Sequence, residues 1–334
     1  MHKLFYHRSR KLTSAWLLGL WLLTSLLILI ASPSHANTNI EPQAEAPNQA
    51  YQALTDFGDN PGELTARYFV PEKYDNRALV VLLHGCVQEG VTLADKSGLT
   101  ALASSHHFAV LVPQQSYENN VKACFNWFSN QDTQQDSGEM LSIKNMIAKT
   151  QEQLQARQVY LIGLSAGGAM ASALLINYPD QFEAGAIIAG LTYPCADNLT
   201  KAISCMKSGP AETNHELVDY AKRLHPKRQG WPSLIIWTGL KDTVVNPVNS
   251  QRLAQYWAEL TQAEPLETKT PHQGYQQSLW KNSVNSTDIL LVEINNMNHG
   301  ISVNQDIKNG GTETDFLINS PISTMVETIK KWQL

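Results

Sequence analysis

Apolar residues in this chain gather in short unbroken runs separated by longer stretches of helical spacing, and the alternation continues almost to the C-terminus. The runs Leu79–Leu83, Ala109–Val112, Gln158–Ile162, Ala184–Ile188, Ser233–Trp237 and Asp288–Ile294 are rich in Val, Ile and Leu. A strand that is apolar on both faces has to be covered on both faces, so these runs predict a mostly parallel central sheet. Amphipathic stretches predict the covering helices at Lys96–His106, Glu139–Gln155, Ala166–Tyr178, Asn249–Thr261 and Ile322–Trp332. The fold class is therefore α/β, with helices on both faces of the sheet.

The segment Thr192–Trp231 interrupts the alternation. It is richer in Pro, Gly, Lys and His and too long for a simple connection. It reads as an inserted cap or loop region, 192–231, over the C-terminal edge of the sheet, where open α/β sheets hold their ligands. The N-terminus is a different matter. Lys3, Arg8, Arg10 and Lys11 precede the apolar run Ala15–Ala31, and Ser34-His35-Ala36 supplies small residues for cleavage, so residues 1–36 read as a signal peptide. Residues 37–50 are polar and without periodicity and read as a flexible leader, which leaves 51–334 as the folded domain.

Composition narrows the partners. The chain has 334 residues, 43% of them hydrophobic, and a formal charge of −5. That suits a sizeable core, and with Lys and Arg scattered there is no basic stripe for nucleic acid and no polybasic patch for a membrane surface. No nucleic-acid partner is expected, and no stable membrane association once the signal peptide is removed. Export to an oxidising compartment, extracellular or periplasmic, lets the four cysteines pair. Four cysteines allow three connectivities. Cys195 and Cys205 lie close together within one segment, which favours Cys195–Cys205 with Cys86–Cys124. The cysteines and histidines show no Cys-x-x-Cys or His-x-x-x-His spacing, so no metal site is expected.

Candidate chemistry centres on Gly163-Leu164-Ser165-Ala166-Gly167-Gly168, which follows the strand Gln158–Ile162 and opens a helix. A serine between glycines on a sharp strand-to-helix turn is the nucleophile elbow of α/β-hydrolases. A serine hydroxyl is a weak nucleophile until a base takes its proton, and the base needs an acid to fix its tautomer. The chain order Ser, acid, His points to Asp242, in the loop after Ser233–Trp237, and His299, in the loop after Asp288–Ile294. Glu259 and Asp288 are alternative acids, but one lies within a helix and the other begins a strand. Two main-chain N–H groups are expected to hold the oxyanion: Ala166, after the serine, and Cys86, in the loop His84-Gly85-Cys86-Val87-Gln88. Trp127 and Trp231 are candidate apolar walls for substrate, although most tryptophans pack in cores.

Several motifs, read together, carry a resemblance. His84-Gly85-Cys86, Ala123-Cys124-Phe125-Asn126-Trp127-Phe128, Gly163 to Met170, Ala186 to Leu191, and Cys195 with Cys205-Met206 resemble the poly(3-hydroxybutyrate) depolymerase-like esterases, near the feruloyl and acetylxylan esterases. The resemblance covers roughly Leu64 to Gly300. It implies an α/β-hydrolase fold and a secreted serine carboxylic ester hydrolase acting on poly- or oligo-3-hydroxybutyrate-type esters, with Ser165, Asp242 and His299 as its triad and the two disulfides already paired. It implies an ester substrate as the partner and no metal or organic cofactor. It departs from the family pattern at Leu240-Lys241 before Asp242 and at Ile301-Ser302 after His299. The alternatives are a feruloyl or acetylxylan type of esterase on plant polysaccharide and a non-catalytic hydrolase-like binding protein.

Overall fold

The apolar runs come together in one ten-stranded sheet, and their order decides which edge carries the chemistry. A computed structural model describes residues 50–284 and 286–334. The strands are β1 (Gln52–Ala53), β2 (Thr65–Phe69), β3 (Ala78–Leu83), β4 (Ala109–Gln114), β5 (Gln158–Leu164), β6 (Ala184–Ile188), β7 (Ser233–Gly239), β8 (Glu264–His272), β9 (Tyr275–Asn282), β10 (Thr287–Ile294), β11 (Ile301–Val303) and β12 (Leu317–Asn319). The first ten align as β1-β2-β4-β3-β5-β6-β7-β10-β9-β8, and the last two form a separate parallel pair. From β4 across to β10 every neighbour is parallel, so the C-terminal ends of these central strands share one edge. They are the strands that the apolar runs predict.

The helices are α1 (Gly90–Lys96), α2 (Leu99–His106), α3 (Asn130–Thr133), α4 (Gly138–Leu154), α5 (Ala166–Asn177), α6 (Leu199–Ser208), α7 (Asn214–Leu224), α8 (Val248–Thr261) and α9 (Thr324–Lys331). Alternation within β3 shows how both faces are used. Leu79, Val81 and Leu83 join the core under α4, α5, α7 and α8, whereas Ala78, Val80 and Leu82 join the core under α1, α2 and α9. α5 is buried at every position. Burial on that scale explains the run of Ala and Gly in its sequence, since small residues let a helix lie close to a sheet.

Some elements differ from the sequence expectation, each for a physical reason. The single helix expected at Lys96–His106 is two, because Gly98 takes a φ of +89 and ends α1. β1, β2, β8 and β9 are antiparallel additions at the two sides of the sheet. Exposed and half-exposed faces give them no continuous apolar run. β8, the outermost, carries Glu264, Glu267 and Lys269 together with Pro265 and Pro271, and its register against β9 slips twice.

The segment 192–231 divides in two. α6 borders the C-terminal edge, where Ala202 and Cys205 pack with Trp127, Ala166 and Leu191. α7 instead lies in the core beneath the sheet through Leu217, Val218 and Ala221, its first turn closed by a reciprocal Thr213–Glu216 cap. The chain then descends to Trp231, immediately before the N-terminal end of β7. The signal peptide 1–36 and all but the last residue of the leader 37–50 lie outside the described residues. Among those described, no helix is long and apolar enough to cross a membrane.

Candidate active site

Ser165 sits between β5 and α5 with φ +56 and ψ −116, a conformation that a residue with a side chain rarely adopts. Close packing holds it there. Gly167 lies against the carbonyls of Leu83 and His84, where no Cβ fits, and the Ser165 N–H donates to Ile188 O at 2.9 Å. The turn is thus wedged between the ends of β3 and β6, and the hydroxyl faces the open edge.

The loops after β7 and β10 meet that hydroxyl. Leu240 N–H donates to Ile294 O and Lys241 N–H to Met297 O, both at 2.9 Å, so the two loops are bound to each other. Asp242 Oδ1 accepts the N–H groups of Val244 and Val245 at 2.8 and 2.9 Å. Its other oxygen, Oδ2, accepts His299 Nδ1–H at 2.7 Å, and His299 Nε2 stands 2.9 Å from Ser165 Oγ. With Nδ1 carrying the proton toward the carboxylate, Nε2 is the basic nitrogen facing the serine. The Asp242 carboxylate is fully buried and the imidazole nearly so. Such an arrangement can take a proton from Ser165 and hold the imidazolium that results.

On the opposite side of Ser165 lies the loop that follows β3. Cys86 is joined to Cys124, and Cys195 to Cys205. Val87, a β-branched residue at φ +57, donates its N–H to Lys122 O at 2.7 Å, tying the loop to the segment that bears Cys124. His84 is buried beneath: Gln115 N–H donates to its Nε2 at 3.1 Å, and its Nδ1–H donates to Gly85 O at 2.7 Å. Burial pushes its pKa down, in keeping with a neutral ring whose two nitrogens are both engaged. Glu139, in the first turn of α4, is the other buried support. Its carboxyl accepts from Gln115 Nε2 at 2.5 Å and from Asn126 N and Nδ2 at 2.8 and 2.7 Å. Desolvation pushes it up to about 8, outweighing those donors.

A cavity of about 270 Å³ opens between these two sides. Ser165, His299, Cys86, Ala166 and Trp127 all line it, and so do Gln88, Met206, Val244 and Phe316. Ala166 is the first residue of α5, where a helical N–H has no intrahelical acceptor. Trp231 is not brought here. It precedes β7 at the N-terminal edge, is only 6% exposed, and packs edge-on to Trp257 and His225. Its expected role as a substrate wall therefore gives way to core packing, which is what its neighbours supply.

Sequence reasoning missed Gln88, Met206, Val244 and Phe316 as cavity residues, and Glu139 as a support. A signal for Glu139 was present: it falls in register with Ile143, Met146 and Ile147, the buried stripe of α4. A carboxyl on an apolar stripe needs buried partners. Nothing in the sequence pointed to Phe316, whose ring stands edge-on to His299 at 6.4 Å after a long loop.

Comparison with known proteins follows the same lines. A family profile described as esterase PHB depolymerase matches residues 65–263. Poly(3-hydroxyalkanoate) depolymerase C from Paucimonas lemoignei is 34% identical over 259 residues, 76% of this chain and 62% of its own length, so the chain spans less than two thirds of that relative. Acetylxylan esterase A from Aspergillus oryzae is 28% identical over 278 residues, covering 78% of this chain and 88% of itself. Feruloyl esterase B from Thermothelomyces thermophilus is 28% identical over 243 residues, covering 69% and 82%. Among solved structures, the acetyl xylan esterase from Aspergillus awamori matches with a TM-score of 0.66 at 24% identity, over 75% of this chain and 94% of that one. That likeness shows the fold, which is the α/β-hydrolase fold.

Proposed function

Since the chain belongs to the esterase PHB depolymerase family, and so is a carboxylic ester hydrolase, we propose that it cleaves poly- or oligo-3-hydroxybutyrate-type esters through an acyl-enzyme on Ser165. The observation that carries this reading is the continuous bond path from Asp242 through His299 to Ser165. His299 Nε2 takes the hydroxyl proton as Ser165 Oγ attacks the ester carbonyl. The N–H groups of Cys86 and Ala166 receive the developing oxyanion. Collapse expels the alcohol, protonated by His299, and water then attacks the acyl-enzyme with His299 again as base. Asp242 keeps the imidazole in its working tautomer throughout. The steps draw only on these side chains and main-chain donors.

The substrate class rests on the cavity and on the named relative. Apart from His299 no ionisable residue lines the cavity, and Trp127, Leu191, Met206, Val244 and Val245 make its walls apolar. A neutral, short acyl chain suits such a space. The relative at 34% identity is a poly(3-hydroxyalkanoate) depolymerase. Export is proposed with it, on the two disulfides and on the signal-peptide pattern at 1–36. Release of 3-hydroxybutyrate from soluble oligomers by the purified chain, with Ser165→Ala as blank, is the test. Rapid release absent from the blank supports the proposal. No release alongside cleavage of acetylated or feruloylated xylan moves the substrate to the plant polysaccharide class, toward which the 28% identical relatives point.

A further inference from the structure

One polar side chain in the cavity has no part in the steps above. Gln88 lines the same space as Ser165 and His299, four positions after His84. Its Oε1 accepts the Gly85 N–H at 2.7 Å, and because that donor requires an oxygen opposite it, the orientation of the carboxamide is fixed. Nε2 is then the remaining donor, and it has no hydrogen-bond partner among the described residues. The head group is also close to the nucleophile. A Cβ built on Gly85 would stand 2.9 Å from Gln88 Oε1 and 3.4 Å from the Ser165 Cβ. The backbone beneath it is held as well: Gln88 O accepts from Gln114 Nε2 at 3.3 Å, and Glu89 next to it caps α1 through Val91 and Thr92.

From this placement we infer that Gln88 reads the oxygen at C3 of the acyl group, so that the site selects 3-hydroxyacyl over plain acyl esters. The inference rests on the proposed ester chemistry at Ser165 and adds to it the atom recognised. A neutral amide N–H beside the serine, in an otherwise apolar space, offers a hydrogen bond to a hydroxyl or ester oxygen two carbons from the carbonyl. An acyl chain with hydrogen at that carbon places apolar surface against the donor instead. Such a mismatch at a partly exposed group lowers kcat/KM by about tenfold.

The experiment compares p-nitrophenyl 3-hydroxybutyrate with p-nitrophenyl butyrate, which share a leaving group, on the intact chain and on Gln88→Glu and Gln88→Met. Glu keeps the acceptor for Gly85 N–H and removes the donor, whereas Met removes both. The wild type should favour the hydroxylated ester by about tenfold in kcat/KM, and both variants should lose most of that ratio. A ratio unchanged in Gln88→Glu, whatever the absolute loss, overturns the inference, because Gln88 would then only prop the Gly85 loop. If Gln88→Met fails to fold, Gln88→Glu decides alone. Wild-type hydrolysis of both esters without preference also overturns the inference and leaves Ser165 chemistry standing. Hydrolysis of neither ester removes the proposed function itself.

Discussion

The two sides of Ser165 are fastened by different means. On the side of Asp242 and His299, two loops are joined by main-chain hydrogen bonds, and the carboxylate is fixed by two amides. On the side of Cys86 and Ala166, the loop after β3 is held by a disulfide and a buried imidazole, and the segment that bears Cys124 is held in turn by a buried carboxyl. The difference follows from what each side has to do. In the proposed reaction His299 accepts and returns a proton in each cycle, which suits a restraint of one well-aligned charge-assisted bond. The N–H groups proposed to receive the oxyanion would act as fixed dipoles, whose contribution depends on not reorganising when charge develops. Stronger fastening belongs where nothing should move.

Breaking the proton-transfer side should produce the largest effect. Ser165→Ala and His299→Ala are each expected to lower kcat by about 10⁴- to 10⁶-fold, with thermal melts near wild type. A folded Ser165→Ala chain that turns over at the wild-type rate would falsify the assignment. On the other side, Cys86→Ser with Cys124→Ser should lower kcat by roughly 10- to 100-fold through a loosened oxyanion loop. Cys195→Ser with Cys205→Ser should change kcat less, because that bridge ties α6 to the cavity wall rather than to an oxyanion donor. Equal losses in the two double variants would mean that the contrast is one of general stability.

A smaller effect separates the two tryptophans. Trp127→Ala should raise KM by about tenfold, whereas Trp231→Ala should lower unfolding free energy by about 3–5 kcal/mol and leave kcat/KM unchanged. Steady-state kinetics beside a urea titration will show whether each tryptophan falls on its expected side.

The smallest effect is a pH dependence. Glu139 titrates at about 8 in the folded chain against 4.5 ordinarily, so the folded state holds its proton more tightly than the unfolded one. That contribution is complete below 4.5 and drains away as pH climbs toward 8. The stability advantage of wild type over Glu139→Gln should therefore shrink across this window, by a few kcal/mol at most. Denaturant titrations between pH 5 and 9 that show a constant difference would rule it out.

The same contrast governs what was legible in the sequence. Ser165, Asp242 and His299 each follow a continuous apolar strand, and chain order alone singles them out; the structure brings all three together. The supports opposite depend on contacts between residues far apart, such as Gln115 with Glu139 and His84 with Gln115, which no local pattern encodes. Trp127 follows Cys124 and Trp231 ends the segment 192–231, and neither position in the sequence tells which edge of the sheet the ring reaches. Only the path of α7 beneath the sheet shows that the second has crossed to the far edge. The outer strands escaped notice because half-exposed pairing leaves no apolar run to find.

Those outer strands bear on how many copies of the molecule behave when crowded. A sheet ends in a row of unsatisfied main-chain donors and acceptors, a ready template for a neighbouring chain. At one end, among the described residues, β1 offers Gln52 and Ala53. At the other, β8 sets Pro265 and Pro271, mixed charge and two slips of register along its free side. Among the described residues neither border presents a flat, regular ladder, the form of edge on which a second sheet grows most readily.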